Sequence, residues 1–369
     1  MEILDYLNEY GLDKLVETYH LKVKEDNGFV LLKYDYLESP IGELVVEQAR
    51  GSIFRKENDK WACMCMPFYK FYNYGEDYAA KIDWKTASIQ EKIDGSLIKF
   101  FNVDGEWYCA TNGMPNAKKA PTSFDENISY YNLICEVMGG EEQLNDFLRG
   151  LDADYTYMFE LVSKKNKLVI DYKENALYGL GKRCMIDFKE DKLTSEDRNY
   201  MEEFGIKFPK TYQFADLAAT IKFAKEMDIS QEGFVVCDGN FNRIKIKGQA
   251  YLDAFHFRGN GLTKRKIIEA IQKETVDDMM AYFPEFRDEI NLILKRLQDM
   301  ASRARNAWKW LDSEGLVERK DRALYIQNNY KFYNRAYCFR CLKSVENPYD
   351  YLMELPVNKI IEFLEGENL

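Results

Sequence analysis

A change of hydrophobic period near residue 260 divides this chain into two kinds of architecture. Up to about Tyr251, short runs of Val, Ile, Leu and aromatics alternate with turn residues. After Gly259-Asn260-Gly261 the apolar positions recur every three or four residues, as in Ile267, Ile268, Ile271 and Ile290, Ile293, Leu294, Leu297. Period 2 suits a half-buried strand and period 3.6 a helix face. The expected fold class is therefore α+β, with a mixed domain over residues 1–254 and an all-helical domain over 255–369. A chain of 369 residues is long enough for two cores.

Within the mixed part, strands are expected at Gly28–Tyr34, Glu43–Arg55, Trp61–Met66, Ser96–Asn102, Glu106–Thr111, Tyr155–Ser163, Lys167–Tyr172, Gly233–Cys237 and Asn242–Lys247. The turn-like Glu57-Asn58-Asp59 makes a hairpin of the second and third. Helical patterns fall at Asp125–Leu148 and Phe214–Met227.

Composition excludes several classes. Hydrophobic residues at 46% and charged residues at 31% are those of a packed globular chain. No run of 18 apolar residues suggests a membrane span, and the acidic start Met1-Glu2-Ile3-Leu4-Asp5 is unlike a signal peptide. Eight scattered cysteines form no framework, so reduced thiols and a cytoplasmic location are expected. Net charge is -11, yet Lys295–Lys343 holds twelve Lys or Arg against five Asp or Glu, interleaved with aromatics. Such a segment can bind a polyanion locally.

Chemistry concentrates in four short stretches that follow one another in order. They are Lys92-Ile93-Asp94-Gly95, Phe159-Glu160, Glu232-Gly233-Phe234-Val235-Val236 and Lys245-Ile246-Lys247. Read singly, each has an ordinary alternative: Asp94-Gly95 a turn, Glu160 a solvated edge residue, Arg50 a surface ion pair of little worth. The last stretch is harder to explain away. Period 2 puts both ammonium groups on one strand face, where they repel, and a shared polyphosphate ligand would offset that.

These stretches resemble the motifs of the covalent nucleotidyltransferases, which comprise RNA and DNA ligases and mRNA capping enzymes. Upstream, Ala49-Arg50-Gly51-Ser52-Ile53-Phe54 and Pro67-Phe68-Tyr69-Lys70-Phe71-Tyr72-Asn73 look like the segments that precede the lysine in the bacteriophage RNA ligase 1 family. Leu168-Val169-Ile170-Asp171-Tyr172, the stretch ending Leu180-Gly181-Lys182-Arg183, and Asp277-Asp278-Met279-Met280 also fit that family, the last less specifically. One position departs: where the family often has a basic residue before a glycine, this chain has Asn112-Gly113. Either Lys118 or Lys119 is expected to substitute from nearby, or a phosphate or ribose contact is weaker.

The resemblance implies a nucleotidyltransferase (ATP-grasp-like) domain of two antiparallel sheets with flanking helices, then a small helical domain. It implies an ATP-dependent RNA ligase that joins 5′-phosphate and 3′-hydroxyl RNA ends through lysyl-AMP and RNA-adenylate. Lys92 would be the nucleophile. Arg50 and Lys70 would hold the outgoing phosphates, and Lys245 and Lys247 the α-phosphate. Asp94, Glu160 and Glu232 would serve Mg²⁺ (or Mn²⁺), directly or through water. The family also allows Glu160 to hold ribose hydroxyls, Glu91 to lie against the adenine and Gly95 to bring backbone close to the nucleotide. The implied partner is RNA, with repair of cleaved tRNA the implied role; no membrane and no obligate protein partner are implied. An RNA-binding protein with a degenerate nucleotide pocket, a guanylyltransferase and a DNA ligase are the alternatives. No OB-fold pattern follows Lys247, which argues against the last two.

Other signals carry less. Cys338-Phe339-Arg340-Cys341 is a lone CxxC without a second pair or a nearby histidine. Gly179-Leu180-Gly181-Lys182 lacks P-loop spacing. Arg303, Arg305, Trp308, Lys309, Trp310 and Tyr330–Arg335 read either as an RNA-contacting surface or as an amphipathic bundle with solvated cations.

Overall fold

The structure, a computed structural model, describes residues 1–36, 38–122, 127–166, 169–170, 172–256, 263–282, 286–313, 319–329 and 352–366. The chain separates into two compact units, Met1–Phe255 and His256–Leu369.

The first unit holds three sheets. Helices α1 (Glu2–Tyr10) and α2 (Leu12–Tyr19) precede an antiparallel meander of β1 (Leu21–Asp26), β2 (Phe29–Tyr34), β3 (Arg50–Glu57) and β4 (Lys60–Cys65), with α3 (Leu44–Gln48) between β2 and β3. Asn58 and Asp59 join β3 to β4 with φ of 47° and 67°, the left-handed pair that a two-residue hairpin of this twist needs.

Strands β5 (Tyr72–Asn73), β6 (Ser88–Glu91), β7 (Ser96–Val103) and β8 (Glu106–Thr111) follow, then α4 (Tyr130–Met138), α5 (Glu141–Arg149), β9 (Tyr155–Val162), β10 (Ala176–Cys184), β11 (Glu190–Asp191) and α6 (Ser195–Glu203). The unit closes with β12 (Thr211–Tyr212), α7 (Leu217–Glu226), β13 (Gly233–Cys237), β14 (Arg243–Lys247) and α8 (Gln249–His256). The second sheet runs β11-β10-β9-β7-β8, wholly antiparallel. The third runs β12-β6-β13-β14-β5, antiparallel except for β14 with β5.

The α+β class is as expected, but among the described residues the sheets number three, not two. Leu21–Asp26 escapes sequence reading because its outward face is charged. Glu43–Arg55, read as a strand, is α3 followed by β3: Val45 and Val46 are buried in a short helix that delivers Arg50 to the strand start. Asp125–Leu148, read as one helix, is α4 and α5 divided by Gly139 and Gly140 at φ 85° and 136°; residues 123–126 lie outside the described residues. The expected strand at Lys167–Tyr172 also falls partly outside them, and Val169 and Ile170 form a bend.

A large core lies between the second sheet and helices α4, α5 and α6. Phe100, Phe147 and Phe159 meet there edge to face, with centroids 5.3–6.3 Å apart. Each such ring contributes about 2 kcal/mol by burial, so this core fixes the strand that carries Glu160.

The second unit is helical throughout its described residues: α9 (Lys264–Gln272), α10 (Val276–Tyr282), α11 (Arg287–Ser313), α12 (Arg319–Asn329) and α13 (Val357–Gly366). Ile267, Ile268, Ile271, Ile290, Leu297 and Ile360 are buried, as the 3.6 period requires. Arg303 is exposed on α11, whereas the side chains of Trp308, Lys309 and Trp310, residues 330–335 and Cys338 to Cys341 lie outside the described residues. Among the described residues no helix is long and apolar enough to cross a membrane.

Candidate active site

Strand register alone brings three distant charges together. Glu91 pairs with Phe234 across β6 and β13, and Lys247 pairs with Gly233 across β13 and β14. Lys92, just past β6, donates its backbone N–H to Gly233 O at 2.8 Å. Glu232, just before β13, therefore lies between the two lysines. Lys92 Nζ stands 2.7 Å from Glu232 Oε2, and Lys247 Nζ 3.0 Å from Glu232 Oε1. Glu232 is 2% exposed, and a carboxylate so buried is stable because it is paired on both oxygens.

A tight backbone supports this cluster. Gly233 has φ 143°, and a Cβ there would lie 2.1 Å from Ile246 O. Gly95 is equally constrained: its missing Cβ would lie 2.5 Å from Leu161 O and 3.0 Å from Glu160 Cγ. The glycine at 95 is thus required by contact with β9, a reason separate from closeness to a nucleotide.

Along β14, Ile244 and Ile246 enter the core, leaving Arg243, Lys245 and Lys247 on the other face. Lys245 Nζ and the Arg50 guanidinium both lie against the Phe71 ring, 5.8 and 5.6 Å from its centroid. Lys70 is buried between the rings of Tyr34 and Tyr72, at 4.9 and 5.1 Å. Arg50, Lys70, Lys92, Lys245 and Lys247 are therefore held by three rings and one carboxylate. That arrangement suits a chain of phosphates.

The acids behave differently from one another. Asp94, 4% exposed, accepts from Val169 N at 3.0 Å and Ile170 N at 2.9 Å on Oδ2, and from the Tyr251 hydroxyl at 2.9 Å on Oδ1. Burial, then the nearby Glu232, pushes its carboxyl up. Its lone pairs are committed to holding the 169–170 bend and α8. Glu160 pairs with Leu97 and Tyr178 in β9. Burial pushes its carboxyl up to about 7, against the pull of Lys92. Glu91 lies on β6, half-buried, one residue before the lysine.

Among the described residues no three acidic, histidine or cysteine side chains form a ready metal cage. Mg²⁺ fits nonetheless, because it keeps several waters and binds through one or two carboxylates plus substrate phosphates. Glu160 is the acid whose oxygens are least committed.

Lys118 and Lys119 do not replace the charge missing at Asn112. Lys118 pairs with Glu141 at 3.6 Å and stacks on Tyr131, and Lys119 pairs with Asp26. Lys99, which sequence reasoning passed over, stands beside Asn112 instead. It is fully buried on β7 and donates to Gly51 O. A Cβ at Gly51 would lie 3.0 Å from Lys99 Nζ and 2.9 Å from Asn112 Oδ1, and that oxygen has no hydrogen-bond partner. Burial lowers the Lys99 ammonium to about 8. Nothing in the period of β7 distinguished Lys99 from a solvated lysine. Tyr251, which donates to Asp94, was equally invisible, whereas Tyr172, which accepts from Asp94 N, ends a stretch that the sequence singles out.

A protein of Autographa californica nuclear polyhedrosis virus, "Putative bifunctional polynucleotide kinase/RNA ligase", is 28% identical over 299 residues, covering 76% of this chain and 41% of that one. The chain thus spans less than half the length of that relative. The RNA ligase of Rhodothermus phage RM378 is 20% identical, over 85% of this chain and 84% of its own. Among solved structures, an archaeal ATP-dependent RNA ligase superposes with a TM-score of 0.46 at 13% identity, covering 78% of each chain. The RNA ligase family model matches residues 48–258, a span that includes Arg50, Lys70, Lys92, Glu160, Glu232, Lys245 and Lys247. With more than half of its length matched, the chain belongs to the RNA ligase family.

Proposed function

We propose that the protein is an ATP-dependent RNA ligase that seals RNA 5′-phosphate to 3′-hydroxyl ends. The observation that supports it best is the Lys92–Glu232–Lys247 cluster, one buried carboxylate between two lysines at one sheet end; in this reading they are nucleophile, proton acceptor and phosphate clamp.

A lysine is protonated at neutral pH and must lose its proton before attack. Glu232 Oε2, 2.7 Å from Lys92 Nζ, is placed to receive it. The neutral amine attacks the α-phosphorus of ATP; a P–N bond forms as the bond to the bridging oxygen breaks, and pyrophosphate leaves. Lys245 and Lys247 neutralise charge on the α-phosphate, while Arg50 and Lys70 hold the departing phosphates. A terminal phosphate oxygen of the RNA then attacks the same phosphorus and frees Lys92. Finally the 3′-hydroxyl attacks the activated 5′-phosphate and AMP departs. A divalent cation, Mg²⁺ or Mn²⁺, would supply further neutralisation of the phosphates near Glu160.

The helical unit contributes to RNA choice in this reading, with cleaved tRNA as the physiological substrate. Equal sealing of a broken anticodon stem-loop and an unstructured strand by the full chain would remove that part.

The test of the chemistry uses ATP labelled at the α-phosphate with a divalent metal. Acid-labile, alkali-resistant label on the protein, absent in Lys92→Ala, is expected. No label on protein first stripped with pyrophosphate would overturn the reading, and label from GTP alone would point to capping chemistry.

A further inference from the structure

A cavity of about 490 Å³ adjoins the cation cluster through Phe71. Its lining includes Lys70, Phe71, Tyr72, Tyr78, Arg183, Phe241 and Arg243. Phe71 also carries Arg50 and Lys245 against its ring, so the cavity continues from the site already described.

Two features of this cavity are not accounted for by the fold's own contacts alone. The first is its charge. Arg183 and Arg243 share one buried carboxylate, Glu190, at 3.3 and 2.8 Å. Arg183 is stacked 4.4 Å from the Tyr69 centroid and Arg243 4.6 Å from that of Phe68. The lining as a whole carries Lys70, Arg183, Lys189 and Arg243 against Glu47 and Glu190, an excess of positive charge. Arg183 is 5% exposed, yet its Nε has no hydrogen-bond partner. A buried donor and an excess buried charge are both unfavourable unless something anionic completes them.

The second is strain at Phe241. Its φ is 62°, a region that bulky residues avoid. Asp238 enforces it: Oδ1 accepts from Asn240 N at 2.9 Å and Asn242 N at 3.0 Å, winding the β13–β14 turn around the phenylalanine. The result is a ring presented to the cavity rather than to a core. Across from it, Tyr78 is 56% exposed and meets Tyr72 with centroids 5.7 Å apart.

Excess guanidinium charge with aromatic faces is the chemistry that recognises a nucleotide of single-stranded RNA: the rings stack the base and the cations take the phosphate. Pyrophosphate would use the cations but has no need of the rings. The geometry points to a second subsite in this cavity that holds one nucleotide of the RNA strand being joined, its base on Phe241 and the Tyr72–Tyr78 pair, its phosphate toward Arg183 and Arg243. This rests on the ligase reading and adds to it a subsite for the RNA strand.

The test compares Tyr78→Ala and Phe241→Ala with Tyr78→Phe and Phe241→Trp in the full chain. The KM for a 5′-phosphorylated single-stranded oligoribonucleotide in sealing is expected to rise tenfold or more in both alanine variants. Lysyl-AMP formation from ATP should stay within twofold, and the aromatic replacements should retain RNA affinity. An unchanged RNA KM overturns the subsite, and so does a fall in the ATP step of matching size, which would assign the cavity to the triphosphate. If the wild-type chain takes up no AMP, the ligase reading fails separately. Fluorescence anisotropy of the same oligonucleotide, which needs no chemistry, then still decides the subsite: equal binding by wild type and the alanine variants overturns it.

Discussion

Lys92 Nζ and Glu232 Oε2 stand 2.7 Å apart although 140 residues separate them in the chain. The second oxygen of the same carboxylate holds Lys247, so one buried acid orients both lysines. Glu232→Gln keeps the shape but removes the charge and the proton acceptor. Loss of a general base lowers rates by roughly 10²–10⁴-fold, and lysyl-AMP formation should fall within that range. Single-turnover labelling with ATP measures it; a loss under threefold would show that Glu232 only places the lysines.

Glu160 supplies a pH signature. Its folded carboxyl lies at about 7, above the ordinary range near 4.3, because burial disfavours the charge. Between those values the folded state holds a proton that the unfolded state has released. Stability therefore declines as pH rises from about 4.5 to 7 and is level above that, by on the order of 2 kcal/mol after discounting for partial exposure. Glu160→Gln should flatten that part of the profile in urea unfolding at a series of pH values.

Asp94 gives a contrast between support and metal binding. Its carboxylate accepts two backbone N–H groups and a tyrosine hydroxyl. Asp94→Asn turns an NH₂ toward donors or forfeits the charge, and should destabilise the first unit by about 3 kcal/mol. Thermal unfolding checks this. Lysyl-AMP formation should fall with the displaced support, and raising the Mg²⁺ concentration should not restore it, since the lost contacts are to protein.

Lys99 and Asn112 flank the same point beside Gly51. Asn112→Lys brings a second ammonium against a buried one and should destabilise by roughly 1–3 kcal/mol at pH 7. Adding Lys99→Met should recover most of that, which a double-mutant cycle in denaturant measures. Lys99 also predicts a rise in stability of the unmodified chain from pH 8 toward 10, where the folded lysine has lost its proton and the unfolded one has not. Lys99→Met should abolish the rise.

The sequence by itself determined the change from strand to helix near residue 260, because hydrophobic period is a local property that burial enforces residue by residue. It also determined the order of the charged stretches, and the alternation that puts Lys245 and Lys247 on one face. Only the tertiary structure decided which charges meet. Glu232 bridges Lys92 and Lys247 because three strands pair in one register, and no local pattern encodes that pairing. Asp94, read as a metal acid, is enclosed by backbone donors from a bend 75 residues away. Lys99 reads as a surface lysine in isolation and is buried because β3 and β8 close around its strand position. Electrostatics is set by distance and burial, and both belong to the folded chain.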